Sequence, residues 1–210
     1  MKETLQSGTT TLGIVCKEGV VLAADRRATL GGRIVAHKKT QKIAELNEDM
    51  AVTWAGSVSD IQLSTKIIKA QMKLIELRRN KKLKVKEVAN LLGSLLYSNI
   101  RQFFPGIAAF LLGGKDEDGI FLYELGPDGS VMMHDDYVSD GSGMMYATGV
   151  LEANYRKDIP ISEGIKLGVK AVNAAMQRDT ASGNGIDVYT ITKDGVKKVF
   201  EREVNSIILA

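Results

Sequence analysis

The segment Ser7-Gly8-Thr9-Thr10-Thr11-Leu12-Gly13-Ile14-Val15-Cys16 contains the first predicted strand of the 210-residue chain, from Thr9 to Cys16. Leu12, Ile14 and Cys16 recur at every second position, which is the period of a strand with one buried face. The threonines ahead of them have branched side chains that favour extended backbone. Taken alone, the segment is an ordinary β-strand preceded by a glycine, and the pattern of the following residues decides the fold.

Strand and helix patterns alternate in blocks along the rest of the chain. Further strands are predicted at residues 20–24, 33–36, 42–46, 50–55, 107–112, 120–125, 130–133, 186–192, 196–200 and 204–209. Apolar residues at three- and four-residue spacing predict two helices between Ser57 and Pro105-Gly106, a third over 143–155 and a fourth over 162–178. The predicted order along the chain is therefore a block of strands, two helices, a second block of strands, two more helices and a last block of strands.

This order of elements predicts a fold of the α/β (α+β) class. Short turns between neighbouring strands favour antiparallel sheets, and the two helix pairs can cover the outer faces of two stacked sheets. The expected architecture is a four-layer αββα sandwich of two mainly antiparallel sheets flanked by helix pairs. No linker-like segment divides the chain, so we expect a single domain.

The composition is that of an ordinary globular protein, with 44% apolar and 25% charged residues. Its only cysteine, Cys16, excludes an intramolecular disulfide and a multi-cysteine metal site. No apolar run is long enough to cross a membrane, and the first residues lack the apolar centre of a secretory signal. We therefore expect a soluble, cytoplasmic protein with no membrane partner.

The net charge of +3 is concentrated in one basic run, RRNKKLKVK at residues 78–86. The run contains six basic residues and no acid, so the remainder of the chain carries a net charge of −3. No aromatic residue interrupts it, and it lies between two predicted helices. These features favour a solvated connection over a nucleic-acid-binding surface, and no nucleic-acid partner is expected.

Several familiar catalytic arrangements do not occur in the sequence. His37 lies in a lysine-rich segment and His134 in an acidic one, so both are interpreted as surface residues rather than members of a catalytic triad. Cys16 lies on the apolar face of its strand and is interpreted as a buried structural thiol. The chain has no G-x-S-x-G, no G-x-G-x-x-G after a strand and no P-loop.

The Gly8-Thr9 junction offers a different nucleophile. Cleavage there would give Thr9 a free α-amine, and a threonine hydroxyl paired with its own amine is a known activated nucleophile. An α-amine has a pKa of about 7.7, so it can accept the hydroxyl proton near neutral pH. The threonine triplet by itself favours the simpler interpretation, the start of an ordinary strand.

Seven short motifs follow one another along the chain: Gly8-Thr9, Asp25-Arg26-Arg27, Lys42, Ala55-Gly56, Gly141-Ser142-Gly143, Gly149-Val150-Leu151-Glu152 and Gln177-Arg178-Asp179-Thr180-Ala181-Ser182-Gly183. In this order and spacing they resemble the β-subunits of the proteasome core particle. The short leader ending in glycine is similar to the archaeal type. The resemblance runs from the leader to the last strands, and it implies the N-terminal-nucleophile (Ntn) hydrolase fold.

The resemblance also implies a set of site residues. Thr9 corresponds to the nucleophile, Asp25 and Lys42 to the acid–base pair beside it, and Gly56 to the donor of the oxyanion hole. The supporting hydrogen-bonding group corresponds to Ser142, Asp179 and Ser182, and the substrate pocket to Ala28, Thr40, Trp54 and Val58. Lys42, rather than Lys38 or Lys39, is matched to the lysine of the family because it directly precedes Ile43. This match allows for one residue inserted in the loop relative to the family. Without the resemblance, the simplest interpretation of each residue is structural. Lys42 would be a loop lysine, Gly56 a turn glycine, Asp179 a helix-end residue and Trp54 a core residue.

The implied activity is that of a threonine endopeptidase without a metal or organic cofactor. Residues 1–8 would be a propeptide removed by autolysis between Gly8 and Thr9, and residues 9–210 the mature domain. The implied partners are copies of the chain in heptameric β-rings, α-subunit rings, and unfolded polypeptides delivered by an ATPase activator. Neutral pocket residues predict apolar or neutral side chains before the scissile bond. Two alternatives remain, a non-catalytic structural subunit of the same assembly and the bacterial-type ATP-dependent two-ring peptidase.

Overall fold

The structure is a computed structural model and describes residues 8–103 and 106–204. Its strands are β1 (Thr11–Cys16), β2 (Gly19–Asp25), β3 (Ala28–Leu30), β4 (Ile34–His37), β5 (Ile43–Glu45), β6 (Met50–Gly56), β7 (Ala108–Asp116), β8 (Gly119–Leu125), β9 (Val131–His134), β10 (Tyr137–Asp140), β11 (Gly185–Thr192) and β12 (Gly195–Glu203). Its helices are α1 (Val58–Arg79), α2 (Val85–Ile100), α3 (Met144–Asn154) and α4 (Ile161–Met176).

Most strands form two five-stranded antiparallel sheets. The strand order is β10-β1-β2-β11-β12 in the first sheet and β5-β6-β7-β8-β9 in the second, while β3 and β4 form a separate hairpin. Apolar side chains from the facing surfaces of the two sheets, including Leu22, Leu111 and Ile191, form one buried cluster between them. The expectation of mainly antiparallel stacked sheets is confirmed.

The helices cover the outer faces of this pair of sheets. Helices α1 and α2 pack on the second sheet through residues such as Ile68 and Leu92, while α3 and α4 pack on the first through Leu151 and Val172. Each outer cluster is separate from the cluster between the sheets. The four-layer αββα sandwich is therefore confirmed.

Helix α4 contacts its sheet mainly through small residues, and several of its large apolar side chains are only partly buried. The buried residues of its face are Gly164, Leu167, Gly168, Ala171, Val172 and Ala175. A Cβ atom at Gly164 would lie 2.3 Å from the Cys16 sulfur, so the helix backbone approaches the sheet closely. Ile165, Val169 and Met176 are only partly buried against the same cluster.

Some element boundaries differ from those expected from the pattern. Strand β1 begins at Thr11 rather than Thr9, and the short strands β3 and β10 were not predicted. Strand β10 forms because it pairs with the open edge of β1, with Ile14 opposite Tyr137. The predicted helix end at Pro105, the predicted strand after Val204 and residues 1–7 of the predicted propeptide lie outside the described residues.

The thiol of Cys16 is buried under α4, as the strand pattern predicts. The side chain is 7% exposed. Burial, and to a smaller extent the negative charge of Glu18, raise the pKa of this thiol to about 12. Cys16 is therefore a neutral packing group at physiological pH.

The basic run at residues 78–86 connects α1 to α2 and is largely paired with acids. Ion pairs link Arg79 to Glu87, Lys81 to Glu117, Lys82 to Asp49 and Lys84 to Asp118. Such exposed pairs add little stability, but they cancel positive charge that a polynucleotide would need. Among the described residues, no helix is both long and apolar enough to span a membrane.

Candidate active site at the start of the first strand

Thr9 lies where β1 begins, between the ends of β10 and β2. Thr11 pairs with Asp140 on one side and with Ala24 on the other. The Thr9 side chain is fully buried, and its hydroxyl has no hydrogen-bond partner among the described residues. A buried polar atom without a partner is costly, so its presence points to a functional role.

The Asp25 carboxylate, at the end of β2, is held by four donors. Its Oδ1 accepts hydrogen bonds from the Thr10 N–H at 2.9 Å and from Lys42 Nζ at 2.8 Å. Its Oδ2 accepts from the backbone N–H groups of Arg27 and Gly183, each at 2.9 Å. Asp25 is fully buried, and these bonds fix its orientation.

The Lys42 ammonium lies between Asp25 and the backbone at Gly8. Its Nζ donates to the Gly8 carbonyl at 3.0 Å as well as to Asp25, and the side chain is fully buried. Burial lowers the pKa of Lys42 from its ordinary value, and the charge of Asp25 opposes that shift. The neighbouring Lys39 instead pairs with Glu203 on the surface.

A second network holds the nitrogen of Thr9. The Thr9 N–H donates to Ser142 Oγ at 3.1 Å, and Ser142 Oγ donates to Asp179 Oδ2 at 2.6 Å. Ser182 Oγ donates to the same Asp179 oxygen at 2.6 Å and lies 2.7 Å from the Thr10 hydroxyl. The structure thus brings Ser142, Asp179 and Ser182 together around Thr9, although they lie far from it in sequence.

Two glycines beside Thr9 have backbone conformations that other residues rarely adopt. Gly56 ends β6 with φ +123°, and a Cβ there would lie 2.3 Å from the Ile107 carbonyl oxygen. Gly141 has φ +94°, and a Cβ there would lie 2.1 Å from the Thr9 carbonyl oxygen. The close approach of residue 141 to Thr9 therefore requires a glycine, and residue 56 requires one for its approach to Ile107.

Substituting Gly141 tests this close approach. We expect Gly141→Ala to destabilise the protein by about 2 kcal/mol or more, because it combines a positive φ with a clash against Thr9. Gly149→Ala is the matched control, since its Cβ would meet nothing within 4 Å. That change in the α3 interior should stabilise by about 0.5–1 kcal/mol. Thermal unfolding of both variants measures the difference, and equal effects would contradict the argument.

A cleft of about 540 Å³ opens beside these residues. Its lining residues are Gly8, Gly31, Gly32, Arg33, Ala55, Gly56, Ile107, Ala109, Pro127, Asp140, Gly141, Ser142 and Ala181. Small and apolar residues predominate, and Arg33 and Asp140 are the charged ones.

The residues expected to form the substrate pocket do not line this cleft. Ala28 is buried in β3, Thr40 lies in the loop before β5, and Val58 begins α1. Trp54 packs in the cluster between the second sheet and its helices, since side chains at 50, 52 and 54 share that face of β6. The next position, Ala55, has the opposite orientation and reaches the cleft.

Three site residues were not identified as functional from the sequence. Thr10 contacts both Asp25 and Ser182, and Thr29 Oγ1 accepts the Gly8 N–H at 2.9 Å. The Arg27 guanidinium donates to the Thr180 carbonyl and to Asn184, so it fixes the loop that carries Ser182. The triple threonine was a signal for Thr10, whereas nothing local marks Thr29.

No metal site accompanies these groups in residues 8–103 and 106–204. Within those ranges, no three histidine, cysteine or acidic side chains lie close enough together to hold an ion. The groups that the structure places around Thr9 are its hydroxyl, a buried lysine–carboxylate pair and backbone donors.

The model of the family described as "Proteasome subunit" matches residues 5–191. The chain belongs to the proteasome subunit family. The beta subunit of the proteasome from Methanobrevibacter smithii is 44% identical over 208 residues, covering 99% of this chain and 98% of that relative. The corresponding subunits of Methanothermobacter thermautotrophicus and Archaeoglobus fulgidus are 43% and 41% identical over the same length.

These relatives confirm the resemblance to archaeal proteasome β-subunits. The proteasome-subunit match includes Gly8 and extends through Ser182, so all the elements of the candidate site lie inside it. Coverage of nearly the full length of each relative indicates that the chain has no large insertion.

Proposed function

We propose that this proteasome subunit is a catalytic β-subunit, a threonine endopeptidase that uses Thr9 as an N-terminal nucleophile. The observation that carries the proposal is the buried Thr9 hydroxyl, which has no hydrogen-bond partner among the described residues. It adjoins the Gly8 carbonyl that the Lys42 ammonium binds together with Asp25. A buried lysine–carboxylate pair is costly to desolvate. The pair is explained if it assists chemistry at Thr9.

The first reaction in this proposal removes residues 1–8. The Thr9 hydroxyl attacks the Gly8 carbonyl carbon, and its proton passes to the Thr9 nitrogen. The C–N bond to Thr9 breaks, which frees the amine and leaves the acyl group on the hydroxyl oxygen as an ester. Water then hydrolyses that ester and releases the propeptide. The Lys42 Nζ, 3.0 Å from the Gly8 oxygen, is placed to stabilise the negative charge that develops there.

The second reaction, peptide hydrolysis, uses the amine that cleavage exposes. This amine accepts the hydroxyl proton, Thr9 attacks the substrate carbonyl, and the protonated amine gives its proton to the leaving nitrogen. Ser142 and Asp179 orient the amine. The Gly56 N–H acts as oxyanion donor, a contribution of roughly 3 kcal/mol for one such group. Water then hydrolyses the acyl-enzyme.

The remaining expectations are part of the same proposal. Residues 9–210 form the mature domain, which assembles as heptameric rings with α-subunit rings in the cytoplasm. An ATPase activator delivers unfolded polypeptides to it. The apolar lining around Gly8, with Ala55, Ala109 and Ala181, supports a preference for neutral side chains before the scissile bond. The family relatives are archaeal, which favours this assembly over the bacterial-type two-ring peptidase.

Intact mass spectrometry tests the proposal directly. The full chain is purified alone and after mixing with its α-subunit, and both samples are weighed and assayed with fluorogenic peptides. We expect loss of residues 1–8, accompanied by peptidase activity, in the assembled particle. A full-length mass that persists after assembly, without activity, would show that the chain is a structural subunit.

A further inference from the structure

Asp140 is a charged residue of the cleft that the proposed mechanism does not use. It ends β10, and its backbone pairs with Thr11 on the side of β1 opposite to Ala24 and Asp25. One carboxylate therefore lies on each side of the nucleophile strand. Four donors bind the Asp25 carboxylate, whereas within the described part of the chain the Asp140 carboxylate accepts one hydrogen bond, from the Gly141 N–H at 2.7 Å.

Strand alternation directs the Asp140 side chain into the space between the two sheets. Val138, two residues earlier in β10, belongs to the buried cluster between the sheets, so Asp140 has the same orientation. On the facing sheet, Glu124 shares a face of β8 with Leu122, a member of the same cluster. Asp140 lines the cleft, and Glu124 lies close enough for its charge to act on the Asp140 carboxyl.

The charges around Asp140 leave this end of the cleft acidic. Asp140 makes no ion pair within the described part of the chain, and Glu124 contacts His134 Nε2 at 3.0 Å. Arg33, the cleft's basic residue, lies on the β3–β4 turn and does not pair with Asp140. Burial raises the pKa of Asp140 above its ordinary value. The hydrogen bond from the Gly141 N–H opposes this shift, and the charge of Glu124 adds to it. A partly buried carboxylate without a cation favours a positively charged ligand.

The proposed mechanism indicates which part of a substrate lies near Asp140. The Thr9 nitrogen delivers the proton to the leaving amine, so the leaving part of the substrate lies on the side of that nitrogen. The Thr9 nitrogen is bound by Ser142, two residues after Asp140. Lys42 and Asp25 lie on the other side of β1.

We propose that Asp140 is a specificity-determining residue, which binds a basic side chain of the substrate on the leaving-group side of the scissile bond. The inference rests on the proposed endopeptidase function and adds a substrate class to it. The basic side chain follows the scissile bond, whereas the expected preference for neutral side chains applies to the residue before that bond. The subunit would thus cut preferentially ahead of lysine or arginine.

The test uses quenched fluorogenic peptides with a constant leucine before the scissile bond. They differ only in carrying lysine or norleucine at the first or second position after it, and mass spectrometry verifies the point of cleavage. The assembled particle is compared with its Asp140→Asn variant, which keeps an acceptor for the Gly141 N–H. Asp135→Asn, an exposed carboxylate in the β9–β10 turn, is the control for net charge.

We expect the native particle and Asp135→Asn to favour the lysine peptide in kcat/KM by roughly threefold to tenfold. The ratio should fall to about one in Asp140→Asn, and in the native particle it should decrease as the pH is lowered through the raised pKa of Asp140. A ratio that is unchanged by Asp140→Asn, or no preference for lysine, would overturn the inference while leaving the endopeptidase function intact.

Absence of cleavage of every peptide would instead contradict the proposed function. In that case the same peptides, labelled for fluorescence anisotropy, measure binding without turnover. Tighter binding of the lysine peptide that depends on Asp140 would still support the inference, and equal binding of both peptides would reject it.

Discussion

Replacing Thr9 with alanine is expected to abolish peptide hydrolysis and to leave residues 1–8 attached. The variant lacks the only nucleophile of the proposed mechanism, and loss of a catalytic nucleophile typically lowers kcat by about 10⁶-fold. Because the Thr9 hydroxyl makes no hydrogen bond among the described residues, its removal should not destabilise the fold. Intact mass and fluorogenic assays of the assembled particle measure both effects.

Thr9→Ser provides the matched control for this experiment. Serine keeps the hydroxyl and loses only a methyl group, so we expect the leader to be removed and part of the activity to remain. Activity in Thr9→Ala, or a leader that is still cleaved at the Gly8 carbonyl, would exclude Thr9 as the nucleophile. Similar losses in both variants would point to a packing role for the methyl group.

Replacing Lys42 with methionine is expected to reduce activity and stability together. Methionine fills a similar volume but leaves Asp25 as a buried carboxylate without its cation, a loss that typically costs about 3–5 kcal/mol. The Gly8 carbonyl also loses its donor, so removal of residues 1–8 should slow by about 10²-fold or more. Denaturant unfolding of the isolated subunit and mass spectrometry of the assembled particle measure the two losses.

Lys38→Met is the control, because Lys38 lies in the same loop and is exposed. It should behave like the native chain in both measurements. If Lys38→Met lost activity and Lys42→Met did not, the assignment of the lysine beside Thr9 would be wrong. A loss of stability without a loss of processing in Lys42→Met would make the pair structural only.

The sequence predicted the four layers because the apolar periodicity of their strands and helices is strong. It did not predict features that depend on contacts between distant segments. Helix α4 was correctly located, but its buried face contains Gly164 and Gly168, whose role depends on the close approach of the sheet. Strand β10 has little periodicity over four residues and exists because β1 offers it an edge. Local sequence patterns indicate neither how closely a helix approaches its sheet nor which strand edge is open for pairing.

The same distinction applies to the site. Thr9, Asp25 and Lys42 were selected by resemblance, and their arrangement depends on the register that sets Thr11 opposite Ala24. No periodicity signal indicates that register. Trp54 was placed at the pocket by resemblance, although the alternation of β6 turns it towards the helices. Asp140 is in a loop-like segment of the sequence, and only the packing of the two sheets places it in the cleft.

The burial of Cys16 makes the subunit convenient for site-specific spectroscopy. With a pKa of about 12, its thiol is ionised to the extent of only about 10⁻⁵ at neutral pH, so maleimides will react with it very slowly. A cysteine introduced at an exposed position, such as Lys38 in the loop before β5, would be the single reactive thiol of the chain. Dyes or spin labels attached there could report ring assembly and substrate entry without removal of the native cysteine.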